Sequence, residues 1–136
     1  MGKLYLEVVT PNKVLVSREV DSVVAPGTEG QFGVLPGHVP FLSGIIPGEI
    51  RYSVGTDQFL LAVTRGFAEI SNDNVSVLVD AAEKAGDIDV ERARLAMERA
   101  RERLSKDRSS EDIDFVRAEA ALQRATVRIK VAEKAS

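Results

Sequence analysis

The chain has 136 residues, of which 44% are apolar and 29% charged, with no cysteine and a formal net charge of −3. That length fits one ordinary domain or two small ones with a folded core. Without thiols there is no disulfide framework or thiolate site, and a weakly acidic chain has no general reason to bind nucleic acid. No apolar run approaches the ~18 residues that a membrane-spanning helix needs.

The opening residues, MGKLYLEVVTPNK, place one lysine before a short apolar stretch broken by Glu7 and Pro11, which is not the pattern of a secretory signal. From there to Asp80 the sequence reads as short strands: KLYLEVV, KVLVSREV, DSVVA, EIRYSV, QFLLAVT, FAEIS and VSVLVD. Val, Ile, Leu, Phe and Tyr dominate these runs, and turn residues separate them, including Pro11-Asn12, Pro26-Gly27, Pro36-Gly37, Pro47-Gly48 and Asn72-Asp73-Asn74. All five prolines and eight of the ten glycines precede residue 60. Many short strands at intervals of roughly 8–12 residues predict a sandwich or barrel. Several runs alternate imperfectly, as expected of strands facing a core between two sheets.

Beyond Asp80 the period changes. Val90, Ala93, Met97, Ala100 and Leu104 recur at spacings of 3, 4, 3 and 4, and Phe115, Ala118, Leu122, Ala125, Ile129 and Ala132 repeat the rhythm. Both are apolar stripes of helices. Asp87 or Asp89 is placed to cap the first helix and Asp112 or Asp114 the second. The polar SKDRSSEDID between them predicts an antiparallel hairpin of two helices, each about 25 Å long. Alanine fills much of the seam, and a buried CH₂ contributes only ~0.8 kcal/mol, so the hairpin is marginal by itself. The expected class is β followed by α: a β-sandwich over residues 1–84 and a helical hairpin over 85–136.

Charge follows the same division. Residues 1–86 carry six Lys/Arg against ten Asp/Glu, whereas 87–136 carry twelve against eleven, nine of the twelve being arginine.

Chemistry-bearing groups are few. His38 is the only histidine and there is no cysteine, so neither a cysteine–histidine triad nor a histidine–cysteine metal cluster can be assembled. Lying between prolines in LPGHVP, it is assigned a structural or contact role. GTEGQFG spaces glycines at 27, 30 and 33, but no Gly-Lys-Ser/Thr follows, and these glycines are read as serving turns of positive φ. Nothing in the chain reads as catalytic. Arg92 and Arg99 share a face of the first helix, and Arg124 and Arg128 share a face of the second. Closing the hairpin should bring Arg92 beside Arg124 and Arg128, with Arg99 about two turns away. Such a cluster either holds a polyanion or is a solvated face balanced by Glu91, Glu98, Glu102 and Glu119; spacing alone favours the solvated face.

The segments APGTEGQFGVLPGHVPFLSGIIPG, RGFAEI and NVSVLVDAAE, followed by DIDVERA and RAEAALQRATVRIKVAE, resemble the epsilon subunits of bacterial F-type ATP synthases along essentially the whole chain. The resemblance implies a flattened β-sandwich that binds the gamma subunit and rests on the membrane-embedded c-ring. It implies a non-catalytic rotor subunit of a proton-translocating enzyme, peripheral on the cytoplasmic face of the bacterial plasma membrane and touching the membrane only through the c-ring. The hairpin of such subunits extends toward the beta and alpha subunits and inhibits ATP hydrolysis, or folds back on the sandwich. In some members the folded form binds ATP as a regulatory ligand, and no cofactor is required.

Ile88, Asp89, Arg92 and Ala93 match the ATP motif of those members, with Glu83 as its upstream acid and Arg99, Arg124 and Arg128 as its further arginines. The c-ring-facing loop corresponds to Glu29, Gly30 and Gln31, the last standing where some members have an acid. His38 is expected at the same end of the domain, in the rotor interface. Lys106 and Arg108 are the expected contacts to the catalytic subunits. Two other classes compete with this reading: a free-standing nucleotide-sensing protein and a plain β-sandwich binding module with a helical tail.

Overall fold

The computed structural model describes residues 2–105 and 112–135. Lys106 and Arg108 lie outside the described residues.

Ten strands form one continuous sheet: β1 (Leu4–Val9), β2 (Val14–Val20), β3 (Ser22–Gly27), β4 (Gly30–Val34), β5 (Phe41–Ile45), β6 (Gly48–Val54), β7 (Asp57–Val63), β8 (Gly66–Ser71), β9 (Asn74–Val79) and β10 (Ala82–Lys84). The order is β10-β7-β6-β3-β5-β8-β9-β1-β2, with β4 on β3. Every pair is antiparallel except β1 with β9. The sheet folds over so that β2 packs near β6 and β10, closing a sandwich. Alternation decides which face goes inward: Leu4, Leu6 and Val8 of β1, Ala68 and Ile70 of β8, and Val75, Val77 and Val79 of β9 are all buried in one core. The Asn72-Asp73 turn between β8 and β9 has φ of 50° and 64°, as a tight hairpin requires. Gly66 is obligatory for a different reason, since a Cβ there would lie 1.9 Å from the carbonyl oxygen of Leu78.

The strands β4, β5 and β10 add to those read from the sequence. Of the glycines at 27, 30 and 33, only Gly30 has positive φ, at 117°. Gly27 is needed because a Cβ would meet the Gly30 carbonyl oxygen at 2.8 Å and the Phe32 ring at 2.9 Å. At Gly33 neither reason applies, so the expectation of three turn glycines is corrected to one.

β7 explains one departure from alternation. Leu61, Ala62 and Val63 are all buried. Leu61 and Val63 face the sandwich core, while Ala62 joins a second cluster with Ala85, Ile88 and Val131. The last three residues of the strand are covered on both faces, on one side by the other half of the sheet and on the other by the helical region.

A 3₁₀ turn at Ala85–Asp87 leads into α1 (Val90–Leu104) and then α2 (Asp112–Ala135). Asp89 is the cap of α1, its carboxylate accepting from the Arg92 backbone N–H at 3.0 Å. Ala93 and Ala100 of α1 and Ala118 and Ala125 of α2 are buried in the helix–helix seam. The helices are unequal, at 15 and 24 residues, or ~22 and ~36 Å, rather than two of 25 Å. The longer α2 outruns α1, and its last turns pack on the 3₁₀ turn, β7 and β6. The apolar stripe therefore changes phase near its end. Val131 is 1% exposed, while Ile129 and Ala132 are only half-buried, because the covering surface there is the sheet and not α1.

Candidate functional site

Where the hairpin meets the edge of the sheet there is a cleft of about 300 Å³. Its sheet side carries Ala62 and Val63 of β7, Thr64 just after it, and Ala82 and Glu83 of β10, and its helical side carries Ala96 of α1 and Ala121, Arg124, Ala125 and Arg128 of α2. The lining is mostly methyl groups with one carboxylate and two guanidinium groups, suited to a ligand with an apolar body and an anionic end.

Glu83 and Arg128 face each other as a fork: Nε donates to Oε1 at 2.6 Å and the terminal NH₂ donates to Oε2 at 3.2 Å. This geometry holds both side chains in register. Arg124 lines the same cleft, is exposed, and has no side-chain hydrogen bond or ion pair among the described residues. Arg92 and Arg99 are exposed and do not line the cleft. They stand four residues before and three after Ala96, which does, so each is about one helical turn from its wall. The structure thus joins Glu83, Arg124 and Arg128 and leaves Arg92 and Arg99 at the rim.

The remaining motif residues have roles in the fold. Ile88 is 8% exposed in the cluster with Val131, Asp89 is the helix cap, and Ala93 is fully buried in the seam. Among Ile88, Asp89, Arg92 and Ala93, only the Arg92 side chain has no packing or capping task.

Beside the C-terminal end of α2, β3 and β4 are joined by a turn in which Gly27 pairs with Gly30, and Gly30 and Gln31 share a cleft with Glu49 and Lys134. Glu29, Gly30 and Gln31 are exposed there. His38 is not beside them. The whole of β4, five residues or ~17 Å of strand, separates Gly30 from the loop that carries His38. The loop returns through β5, whose Ile45 and not its Phe41 reaches the Gly27 end. The expectation that His38 shares an end with Glu29–Gln31 is therefore corrected. His38 is half-buried, its Nδ1 lies 2.7 Å from the Val39 carbonyl oxygen, and its ring meets Phe41 edge-on with centroids 5.8 Å apart. The neighbouring Gly37 N–H donates to Asp73 at 2.7 Å, fixing the loop to the β8–β9 turn.

One surface was not foreseen. Leu35, Val39 and Leu42 are 64–70% exposed, and Phe67 and Leu78, cross-strand partners on β8 and β9, are 51% and 43% exposed. Exposed large apolar side chains of this kind, Phe67 and Leu78 directly opposite each other, are features of partner-binding surfaces. The sequence signal was the apolar residues at both alternating positions of VPFLSGI and NVSVLV, which leave one set on the outside of the sheet.

Among the described residues no cluster of three or more His, Cys, Asp or Glu could hold a metal, and no helix is long and apolar enough to cross a membrane.

Comparison with known proteins returns one family over nearly the whole chain. Residues 3–85 match the model for the ATP synthase delta/epsilon chain β-sandwich domain, and residues 87–133 match that for its long α-helix domain. An ATP synthase epsilon chain from Syntrophobacter fumaroxidans is 53% identical over 132 residues, 97% of each chain. One from Nitratidesulfovibrio vulgaris is 48% identical over 127 residues, 93% of this chain and 95% of its own. The fold also matches a chain in the cryo-EM structure of the Euglena gracilis mitochondrial ATP synthase (OSCP/F1/c-ring), with a TM-score of 0.82 at 21% identity, covering 99% of this chain and 81% of that one.

Proposed function

The chain belongs to the ATP synthase epsilon-chain family, and from that premise we propose that it is a non-catalytic central-stalk subunit whose hairpin restrains ATP hydrolysis when it leaves the sheet. The observation that carries this reading is how lightly the hairpin is held. The sandwich has its own core of nineteen buried residues, whereas among the described residues the cluster between hairpin and sheet buries four, Ala62, Ala85, Ile88 and Val131, with Leu60, Val127 and Ala132 partly buried against them. The helix–helix seam rests largely on alanines, which contribute little apolar area. A lightly held element on an independently packed body is suited to a switch between docked and extended forms.

The exposed apolar face around Leu42, Phe67 and Leu78 supports docking of the sandwich on gamma, and the projecting Glu29–Gln31 turn supports contact with the c-ring. On this reading the subunit is peripheral to the bacterial plasma membrane and couples proton-driven rotation of the ring to the catalytic head. The cleft beneath the docked hairpin is the site for regulatory ATP: methyl groups receive the base, and Arg124 and Arg128, with Arg92 and Arg99 at the rim, receive the phosphates. ATP then favours the docked form by its differential affinity for it.

Deleting residues 88–136 tests the inhibitory role. Rotor assembly should be preserved and ATP hydrolysis by the assembled enzyme should rise; unchanged hydrolysis would remove it.

A further inference from the structure

α2 does not meet the sheet at arbitrary positions. The strand register sets Glu83 of β10 opposite Ala62 of β7, and Ala62 opposite Glu49 of β6. Directly paired residues share a face, so three adjacent strands present one transverse row: carboxylate, methyl, carboxylate. The helix supplies the complementary row at i, i+3 and i+6. Arg128 pairs with Glu83 at 2.6 Å, Val131 is buried in the cluster that contains Ala62, and Lys134 pairs with Glu49 at 2.9 Å.

The two rows have the same pitch. Strands lie ~4.8 Å apart, so Glu83 and Glu49 are separated by roughly 9.6 Å across β7. Six residues of helix rise ~9 Å. A helix crossing the strands thus finds a partner at both ends and an apolar seat between them. Displacement by one strand would set a cation over Ala62 and Val131 over a carboxylate.

We propose that the rows Glu83–Ala62–Glu49 and Arg128–Val131–Lys134 form a charge–apolar–charge latch that fixes where α2 docks and weakens as ionic strength rises. The proposal rests on the reading that the hairpin leaves the sheet. Its outer half is the new element: Glu49 and Lys134 lie outside the nucleotide cleft, beside the Gly30–Gln31 turn. Glu49 is already steadied by Arg51, whose guanidinium lies 3.4 Å from its other oxygen, so the carboxylate is positioned before Lys134 arrives. Lys134 is more than half exposed, so its pair is open to screening by salt, with a Debye length of ~8 Å at physiological ionic strength.

The test is a double-mutant cycle on the full chain with Glu49→Ala, Lys134→Ala and both together. The readout is hydrogen exchange at the 3₁₀ turn and Ile88, which the docked α2 covers, so that even a small released fraction is measured. Each single variant should lower the docked-to-released ratio about two- to fivefold, the range for exposed ion pairs. The double variant should be no worse than either single, and salt should lower the ratio less in the variants than in the parent. Additive single effects, or the same salt response in all four proteins, would overturn the latch. ATP hydrolysis by enzyme reassembled with each variant separates this from the inhibitory reading: a coupled pair with no change in hydrolysis leaves the latch standing and removes inhibition.

Discussion

Val131→Ala is the sharpest test of how the hairpin is held. Val131 is 1% exposed and is the largest contribution of α2 to the cluster with Ala62, Ala85 and Ile88. The substitution removes two carbons from that contact. At ~0.8 kcal/mol each the transfer term is about 1.6 kcal/mol, and any unfilled cavity adds to it. Helix propensity favours alanine over valine, but α2 is helical in both docked and released forms, so that gain cancels. A change of 1.6 kcal/mol corresponds to about fifteenfold in the docked-to-released ratio. Hydrogen exchange should therefore accelerate by about that factor at Ala85–Ile88, while the strands around Leu6 and Val77 keep their protection because their core is separate. Val116→Ala removes the same atoms from a position that is 65% exposed and should change nothing measurable. Unchanged protection at Ala85–Ile88, or protection lost equally throughout the sandwich, would refute the view that a small apolar patch holds a separable element.

The other expectations follow from the same contacts. At a free concentration 100 times its dissociation constant, ATP should raise the stability of the docked form by ~2.7 kcal/mol in thermal melts, and Arg92→Ala or Arg128→Ala should diminish that shift by removing a charge-assisted contact worth ~1.5–3 kcal/mol. An ATP-independent melt in the parent protein would reduce these arginines to a solvated face. Gly66→Ala drives a Cβ into the Leu78 carbonyl across the β8–β9 ladder and should cost about 3 kcal/mol or more in denaturant unfolding, whereas Gly33→Ala, with open space at that point, should be close to neutral. A fragment ending at Lys84 retains β10 on β7 and the whole sandwich core, so it should unfold cooperatively; an aggregating fragment with no cooperative transition would show that the hairpin is required for folding.

Local chemistry in the sequence determined the change from period 2 to a 3–4 rhythm after Asp80, an acidic cap at Asp87 or Asp89, of which the structure uses Asp89, and the alanine seam of Ala93, Ala100, Ala118 and Ala125. These are properties of residues within a turn or two of one another, and they need no partner to be read. β4, β5 and β10 were harder to see because they are short, interrupted by Gly or Pro, or joined to the preceding strand, and distant partners complete them. Only the tertiary structure decided that His38 and Gly30 lie at opposite ends of β4, and that Glu83 takes Arg128 while Arg92 stays at the rim. It alone set Glu83, Ala62 and Glu49 in one row beneath Arg128, Val131 and Lys134. The physical reason is that strand register and helix crossing are set by packing between segments far apart in the chain, whereas periodicity records only which face of each segment is apolar.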